Sequence, residues 1–156
     1  PGFLLLQEVQ GAHADRASRH ADWPAASQFE YLADSLWPHH AYGRNAVYDA
    51  GHHGNAVLSR WPIRSWENLD ISTNRFERRG LLHAVIDRDG RPLHAICIHL
   101  DLHGYGRALQ VDQLCARIAQ AVPRDEPLVI AGDFNDWRVR SARRLEDDLG
   151  LVEAHR

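Results

Sequence analysis

The sequence predicts an α/β layered sandwich, and three observations carry that expectation. Short apolar runs recur at residues 3–6, 55–59, 81–86, 93–100 and 128–131. Most lack clean in-out alternation, as strands covered on both faces do. Two stretches, 29–36 and 107–122, instead repeat their apolar residues at helical spacing, and they interleave with the strands.

Each element has a local reason. Residues 3–6 read as a buried strand that ends in Gln7-Glu8-Val9, with a carboxylate near its end. Residues 13–22 are polar and read as a surface loop. Ser27 with Glu30 fits a capping box, and Phe29, Leu32, Ala33 and Leu36 follow on one helical face. Pro38 ends that helix. His39, His40, Tyr42, Arg44, Tyr48, His52 and His53 then crowd a glycine-punctuated region expected to be a polar, substrate-facing loop. No His-Glu-x-x-His spacing marks it as a zinc site.

Residues 55–59 form a strand closed by Arg60-Trp61-Pro62. Arg78-Arg79-Gly80 leads into the strand 81–86, and Asp89-Gly90 turns it back as a hairpin into 93–100. His99 falls at the end of that second strand. Residues 107–122 form a helix with Val111, Leu114, Cys115, Ile118 and Val122 as its stripe. The basic stretch 138–144 reads as helical, with Leu145 and Leu149 as apolar contacts and Gly150 as C-cap.

The richest stretch is 127–137, Pro-Leu-Val-Ile-Ala-Gly-Asp-Phe-Asn-Asp-Trp. A buried strand stops at Gly132 and delivers Asp133, Asn135 and Asp136 within four positions. Open α/β sheets place ligands at such strand ends. Carboxylates and amides there can hold a hard cation, orient a water or grip a phosphoryl oxygen.

Composition narrows the chemistry. The chain has 156 residues, 44% of them hydrophobic, which suits one core and hence one domain. Its net charge of −3 argues against a nucleic-acid binder held by its overall field. All 18 basic residues are arginine, so a catalytic lysine is excluded and bidentate phosphate contacts are favoured. Arg16, Arg19, Arg44, Arg138, Arg140 and Arg143, with Trp137, form either a phosphate-rich groove or a solvated face. Cys97 and Cys115 sit in apolar segments and read as reduced, which points to a cytoplasmic setting. No apolar run reaches membrane-spanning length. Nothing in the sequence sets an oligomeric state. The absence of methionine suggests a piece of something longer.

Four separated pieces then coincide. They are Leu-Gln-Glu at 6–8, Gly-Asn-Ala-Val-Leu-Ser-Arg-Trp-Pro-Ile at 54–63, Ile-His-Leu at 98–100 and Gly-Asp-Phe-Asn-Asp at 132–136, with Arg107-x-x-Gln110 between the last two. In this order they resemble the endonuclease/exonuclease/phosphatase family, which includes DNase I-like nucleases, sphingomyelinases and inositol-polyphosphate phosphatases. The resemblance implies a four-layer α/β sandwich of the DNase I-like type, truncated at both termini, so that residues 1–156 form a single incomplete domain. It implies a hydrolase acting on phosphate esters through a water activated without a covalent intermediate, with Mg²⁺, or Mn²⁺, as cofactor. Glu8 would hold the metal. His99 would hydrogen-bond the scissile phosphate or protonate the leaving oxygen, Asp133 would orient or deprotonate the water, and Asn135 would position the phosphate. Arg79 and Arg107 would support the site.

The implied partner is a phosphate-ester substrate, with nucleic acid, lipid phosphate and inositol phosphate all open. The family's N-terminal asparagine and C-terminal aspartate–histidine pair have no match here, His155 being a poor substitute, so the fragment by itself is expected to be inactive. Two alternatives compete. Asp101-Leu-His-Gly followed by Gly132-Asp-Phe-Asn-Asp mimics a calcineurin-like metallophosphoesterase. A non-catalytic binding domain that kept the fold is the other.

Overall fold

The structure, a computed structural model, describes residues 1–14, 19, 26–33 and 36–154. Most of the polar stretch 13–22, including Arg16, and His155 lie outside the described residues. Among the described residues, seven strands and three helices follow in the order β1 (Phe3–His13), α1 (Gln28–Ala33), β2 (His39–Tyr48), β3 (Gly51–Ser59), β4 (Ile63–Asp70), β5 (Gly80–Arg88), β6 (Arg91–His99), α2 (Gly104–Ala121), β7 (Leu128–Asp133) and α3 (Arg140–Leu149).

The strands make two sheets, ordered β1-β3-β2 and β4-β5-β6-β7. Every pairing is antiparallel except β6 with β7. Three apolar clusters separate four layers. Leu4, Leu6, Val9 and Leu58 pack against Phe29 and Trp37 on the α1 side of the first sheet. Phe3, Leu5, Val57, Leu82, Ala84, Ile86, Leu93 and Cys97 fill the space between the sheets. Leu81, Ile96 and Ile98 meet Val111, Leu114 and Ile118 of α2 and Leu145 of α3. β5 and β6 are thus covered on both faces, which is why their sequences run apolar without alternation.

Local expectations hold at several points. Ser27 and Glu30 close the capping box reciprocally, backbone N–H to side chain, at 2.9 and 3.4 Å. Asp89 and Gly90 both take positive φ, 55° and 84°, as a two-residue hairpin requires. Gly150 caps α3 in the left-handed region. Both cysteines are free thiols, and burial pushes the Cys97 thiol up to about 11.

Two strands were not anticipated. The histidine-rich region is no loop: His39–Tyr48 and Gly51–Ser59 form an antiparallel pair. Ala41 and Gly43 are buried on its inner face while His40 and Arg44 are exposed, and these small inward residues hid the alternation. The strand Ile63–Asp70 is an edge strand whose Arg64, Ser65, Trp66 and Glu67 are exposed, so its polar content masked it. β1 also runs four residues past Val9. Helix α2 starts at Gly104 rather than 107, and α3 spans Arg140–Leu149 rather than 138–144.

One buried polar ladder crosses the outer layer. His83 Nε2 lies 2.8 Å from His94 Nδ1, and His94 Nε2 lies 2.6 Å from Glu126. Arg117 Nε on α2 donates to His83 Nδ1 at 3.1 Å and pairs with Glu67. Burial, then Arg117 and His94, push the His83 pKa from 6.5 down to about 4. As pH falls below 6.5 the unfolded chain takes up this proton before the folded one does. The stability is therefore complete above about 6.5 and is lost as pH falls toward 4. Urea unfolding at pH 7 and pH 5 is expected to differ by on the order of 2 kcal/mol through this group. In His83→Gln that part of the difference should vanish, and an equal slope in both proteins would refute the assignment.

Candidate active site

The site forms where the bulge in the middle of β1 meets the start of β5 and the ends of β6 and β7. Glu8 arrives on a β-bulge: Leu6 pairs with Ala56 and Val9 with Gly54, so three steps on β1 oppose two on β3. Glu8 itself has φ 54°, the left-handed region that a non-glycine residue adopts only under local constraint. Bulges beside active sites re-aim a side chain in this way.

His99 is the last residue of β6, paired in parallel register with Asp133, the last residue of β7. Gly132, at φ 153°, is required there, since a Cβ would lie 1.8 Å from the Ile98 carbonyl oxygen. Asn135 follows at φ 49° in a turn whose N–H donates to Asp133 Oδ1 at 2.8 Å.

These side chains converge. Arg79 Nη1 stands 3.0 Å from His99 Nδ1 and 4.0 Å from Glu8 Oε1. Glu8 Oε1 is 3.7 Å from His99 Nδ1, and Asp133 Oδ2 is 3.9 Å from His99 Nε2. Arg79 Nη2 also approaches Glu77 at 3.6 Å. Arg79 Nε and Glu77 Oε2 are buried with no hydrogen-bond partner among the described residues, so the centre is polar and incompletely satisfied there.

Burial first, then the Arg79 guanidinium, hold the His99 pKa below its ordinary 6.5, with Glu8 and Asp133 opposing. His99 is therefore neutral at pH 7. An arginine only donates, so Nδ1 facing Arg79 is the acceptor and Nε2 carries the hydrogen on the Asp133 side. An NMR titration of His99 is expected to give a midpoint below 6.5. Arg79→Met should move it upward by removing the cation. A midpoint that stays fixed in the variant would remove Arg79 as a cause.

Other expected residues take bracing positions. Asn135 Nδ2 donates to the Leu100 carbonyl at 2.9 Å, which ties the two strand-end loops together. Arg107 braces the loop after β6 instead: its Nη1 donates to the carbonyls of Asp101 and Leu102 at 3.0 and 2.7 Å. Gln110, fully buried, accepts from Asp101 N–H and donates to the Ile71 carbonyl. Asp101 is buried too, and its carboxylate accepts from Thr73, Asn74 and the His103 N–H. Burial raises its pKa, yet those hydrogen bonds outweigh it and the net shift is downward. A carboxylate so occupied is unsuited to the metal-ligand role that a calcineurin-like reading requires. Thr73, Asn74 and Glu77 escaped the sequence reading because nothing marks the 71–79 loop as adjacent to Asp101. Beside Glu8 opens a polar pocket of about 390 Å³, lined by Gln10, Gln28, Tyr48 and His53.

The fold, the site and the sequence agree on one family. The chain belongs to the Endonuclease/Exonuclease/phosphatase family, whose sequence model matches residues 1–153. It is 46% identical over 153 residues to the uncharacterized protein YbhP of Escherichia coli strain K12, covering 97% of this chain and 60% of that one. The chain thus spans about three fifths of the length of the curated relatives it matches at this level. A 96-residue match at 27% identity reaches Sphingomyelinase C 1 of Leptospira interrogans, covering 53% of this chain and 16% of the relative.

Among solved structures, Sphingomyelinase C from Streptomyces griseocarneus superposes with a TM-score of 0.71 at 20% identity, covering 99% of this chain and 59% of that one. TDP2 of D. rerio complexed with a single-strand DNA product gives 0.59 at 20% identity, with 99% and 54% covered. These likenesses establish the DNase I-like fold.

Proposed function

We propose that the protein is a metal-dependent phosphoesterase that hydrolyses a phosphate ester by direct attack of an activated water. The observation that carries this reading is the meeting of Glu8, Arg79, His99 and Asp133 within 4.0 Å steps at one end of the sandwich. Family membership and the sphingomyelinase and TDP2 likenesses support the same class.

The donor set suits a hard cation. Among the described residues no group of three or more His, Cys, Asp or Glu forms a metal cage. Mg²⁺ needs none, since it binds through one or two carboxylates and keeps waters and substrate oxygens as its other ligands. Glu8, exposed and without a thiolate or imidazole cage, would hold Mg²⁺ or Mn²⁺. A bound cation would neutralise charge on the phosphoryl oxygens.

The chain's own residues cover the remaining tasks. Asp133 accepts the proton of the attacking water. The neutral His99 donates its Nε2 hydrogen to a phosphoryl oxygen, which fits hydrogen bonding better than delivery of a proton to the leaving group. Arg79 adds fixed positive charge beside it. Asn135 holds the Asp133 turn in place. The substrate class spans nucleic-acid and lipid or inositol phosphates.

The test is hydrolysis of bis(p-nitrophenyl) phosphate and of natural diesters by the full-length protein, titrated with Mg²⁺ and Mn²⁺ against an EDTA control. Metal-dependent turnover is the expected result. Absence of turnover with every diester and both ions would refute the reading.

A further inference from the structure

Three loops that carry or brace the catalytic residues are hydrogen-bonded to one another. The 71–79 loop reaches Asp101 through Thr73 and Asn74. The β6–α2 loop reaches the β7–α3 loop through Asn135 and the Leu100 carbonyl. The tips of all three present large apolar side chains to solvent. Phe76 is 82% exposed, Tyr105 80% and Trp137 96%, and the aliphatic Leu102 and Val139 are exposed beside them. Large apolar side chains exposed together on adjoining loops mark an interaction surface.

The charge on the same loops is directional. Arg75, Arg78, Arg138 and Arg140 are exposed there, against exposed Asp70, which lies 3.5 Å from Arg78, and Asp133 inside the site. The Arg75 guanidinium lies 4.8 Å over the Phe76 ring, so a cation and an aromatic share one tip. The rim is therefore locally cationic on a chain of net charge −3.

We propose that this rim docks on an anionic phospholipid surface, with Phe76, Tyr105 and Trp137 seated at headgroup level and the arginines on lipid phosphates. The proposal rests on the phosphoesterase reading for its meaning: it presents the catalytic centre to phosphate esters held in a lipid layer. Trp and Tyr prefer the membrane interface, and arginine stems lie along apolar surface while the charge reaches phosphate. A nucleic-acid strand would stack on the same aromatics, but it gives no role to exposed Leu102 and Val139.

The experiment is sedimentation of the full chain with phosphatidylglycerol vesicles, with phosphatidylcholine vesicles and with an oligodeoxythymidine strand, all in EDTA. Binding to phosphatidylglycerol is expected to exceed binding to phosphatidylcholine by about tenfold or more. Phe76→Ser/Tyr105→Ser/Trp137→Ser and, separately, Arg138→Glu/Arg140→Glu should each abolish most of it, with folding checked by circular dichroism. Should the triple variant misfold, brominated lipid gives the second readout: it should quench tryptophan fluorescence in the parent and less in Trp137→Phe. No vesicle binding, undiminished binding in the folded variants, or oligonucleotide binding lost through the same substitutions would each overturn the proposal. Because binding is read without catalysis, a chain inactive on every diester would leave the docking result standing.

Discussion

In the full-length protein, Asp133→Asn is expected to lower the rate of metal-dependent diester hydrolysis by roughly a hundredfold to ten-thousandfold, the usual contribution of a positioned general base. The change isolates the chemistry from the fold. Asparagine keeps an Oδ1 that can accept the Asn135 N–H, so the turn after β7 survives. Asp133 is also half exposed and its loss empties no part of the core. What disappears is the negative oxygen 3.9 Å from His99 Nε2. Single-turnover rates read beside a urea unfolding curve make the check. An unchanged rate with unchanged stability would transfer the base to another residue.

Glu8→Gln is the second large effect, and its signature differs. The amide is nearly isosteric, so the bulge and its backbone conformation should persist. It carries no charge to oppose a cation, so metal affinity should fall and the saturated rate should drop by about a hundredfold or more. Glu8 also lies 3.7 Å from His99 Nδ1 and raises its pKa. The variant should therefore move the His99 midpoint lower still, a readout independent of turnover. The rate plotted against Mg²⁺ concentration for both proteins checks the first effect. A superimposable pair of curves would remove Glu8 from the metal site.

The parts of the fold that sequence disclosed are those in which one force dominates. β5 and β6 are apolar because both faces are covered, whereas β7, expected to be buried on both faces, is an edge strand with Val129 exposed. The site residues sit just before β5 and at the ends of β6 and β7. Leu81, Ile96 and Ile130 leave little room for another reading. β4 failed because an edge strand needs only one apolar face, and Trp66 and Glu67 project outward. β2 failed because its inward residues are Ala41 and Gly43, chosen for close approach of the sheets rather than for hydrophobicity. At the site, the residue types were legible and their partners were not. Arg79 and His99 lie twenty positions apart, and only the β5–β6 hairpin brings them to 3.0 Å. Arg107 was legible as important, but its carbonyl-bracing role depends on where α2 begins.

The bulge in β1 has an evolutionary consequence. Before it, Leu4 and Leu6 face α1 while Phe3 and Leu5 face the second sheet; after it, Val9 again faces α1. An odd and an even position thus share a face, and skipping Glu8 restores the regular count. Glu8 is the supernumerary residue, inserted into a strand whose apolar periodicity is complete without it. Its left-handed backbone costs about 1 kcal/mol or more, and no packing requires it. A lineage that no longer needs the chemistry could drop this one residue and keep the apolar faces of the strand. Loss of catalysis is then a short, structurally neutral step, and a folded descendant that only binds its former substrate is the natural product of that step.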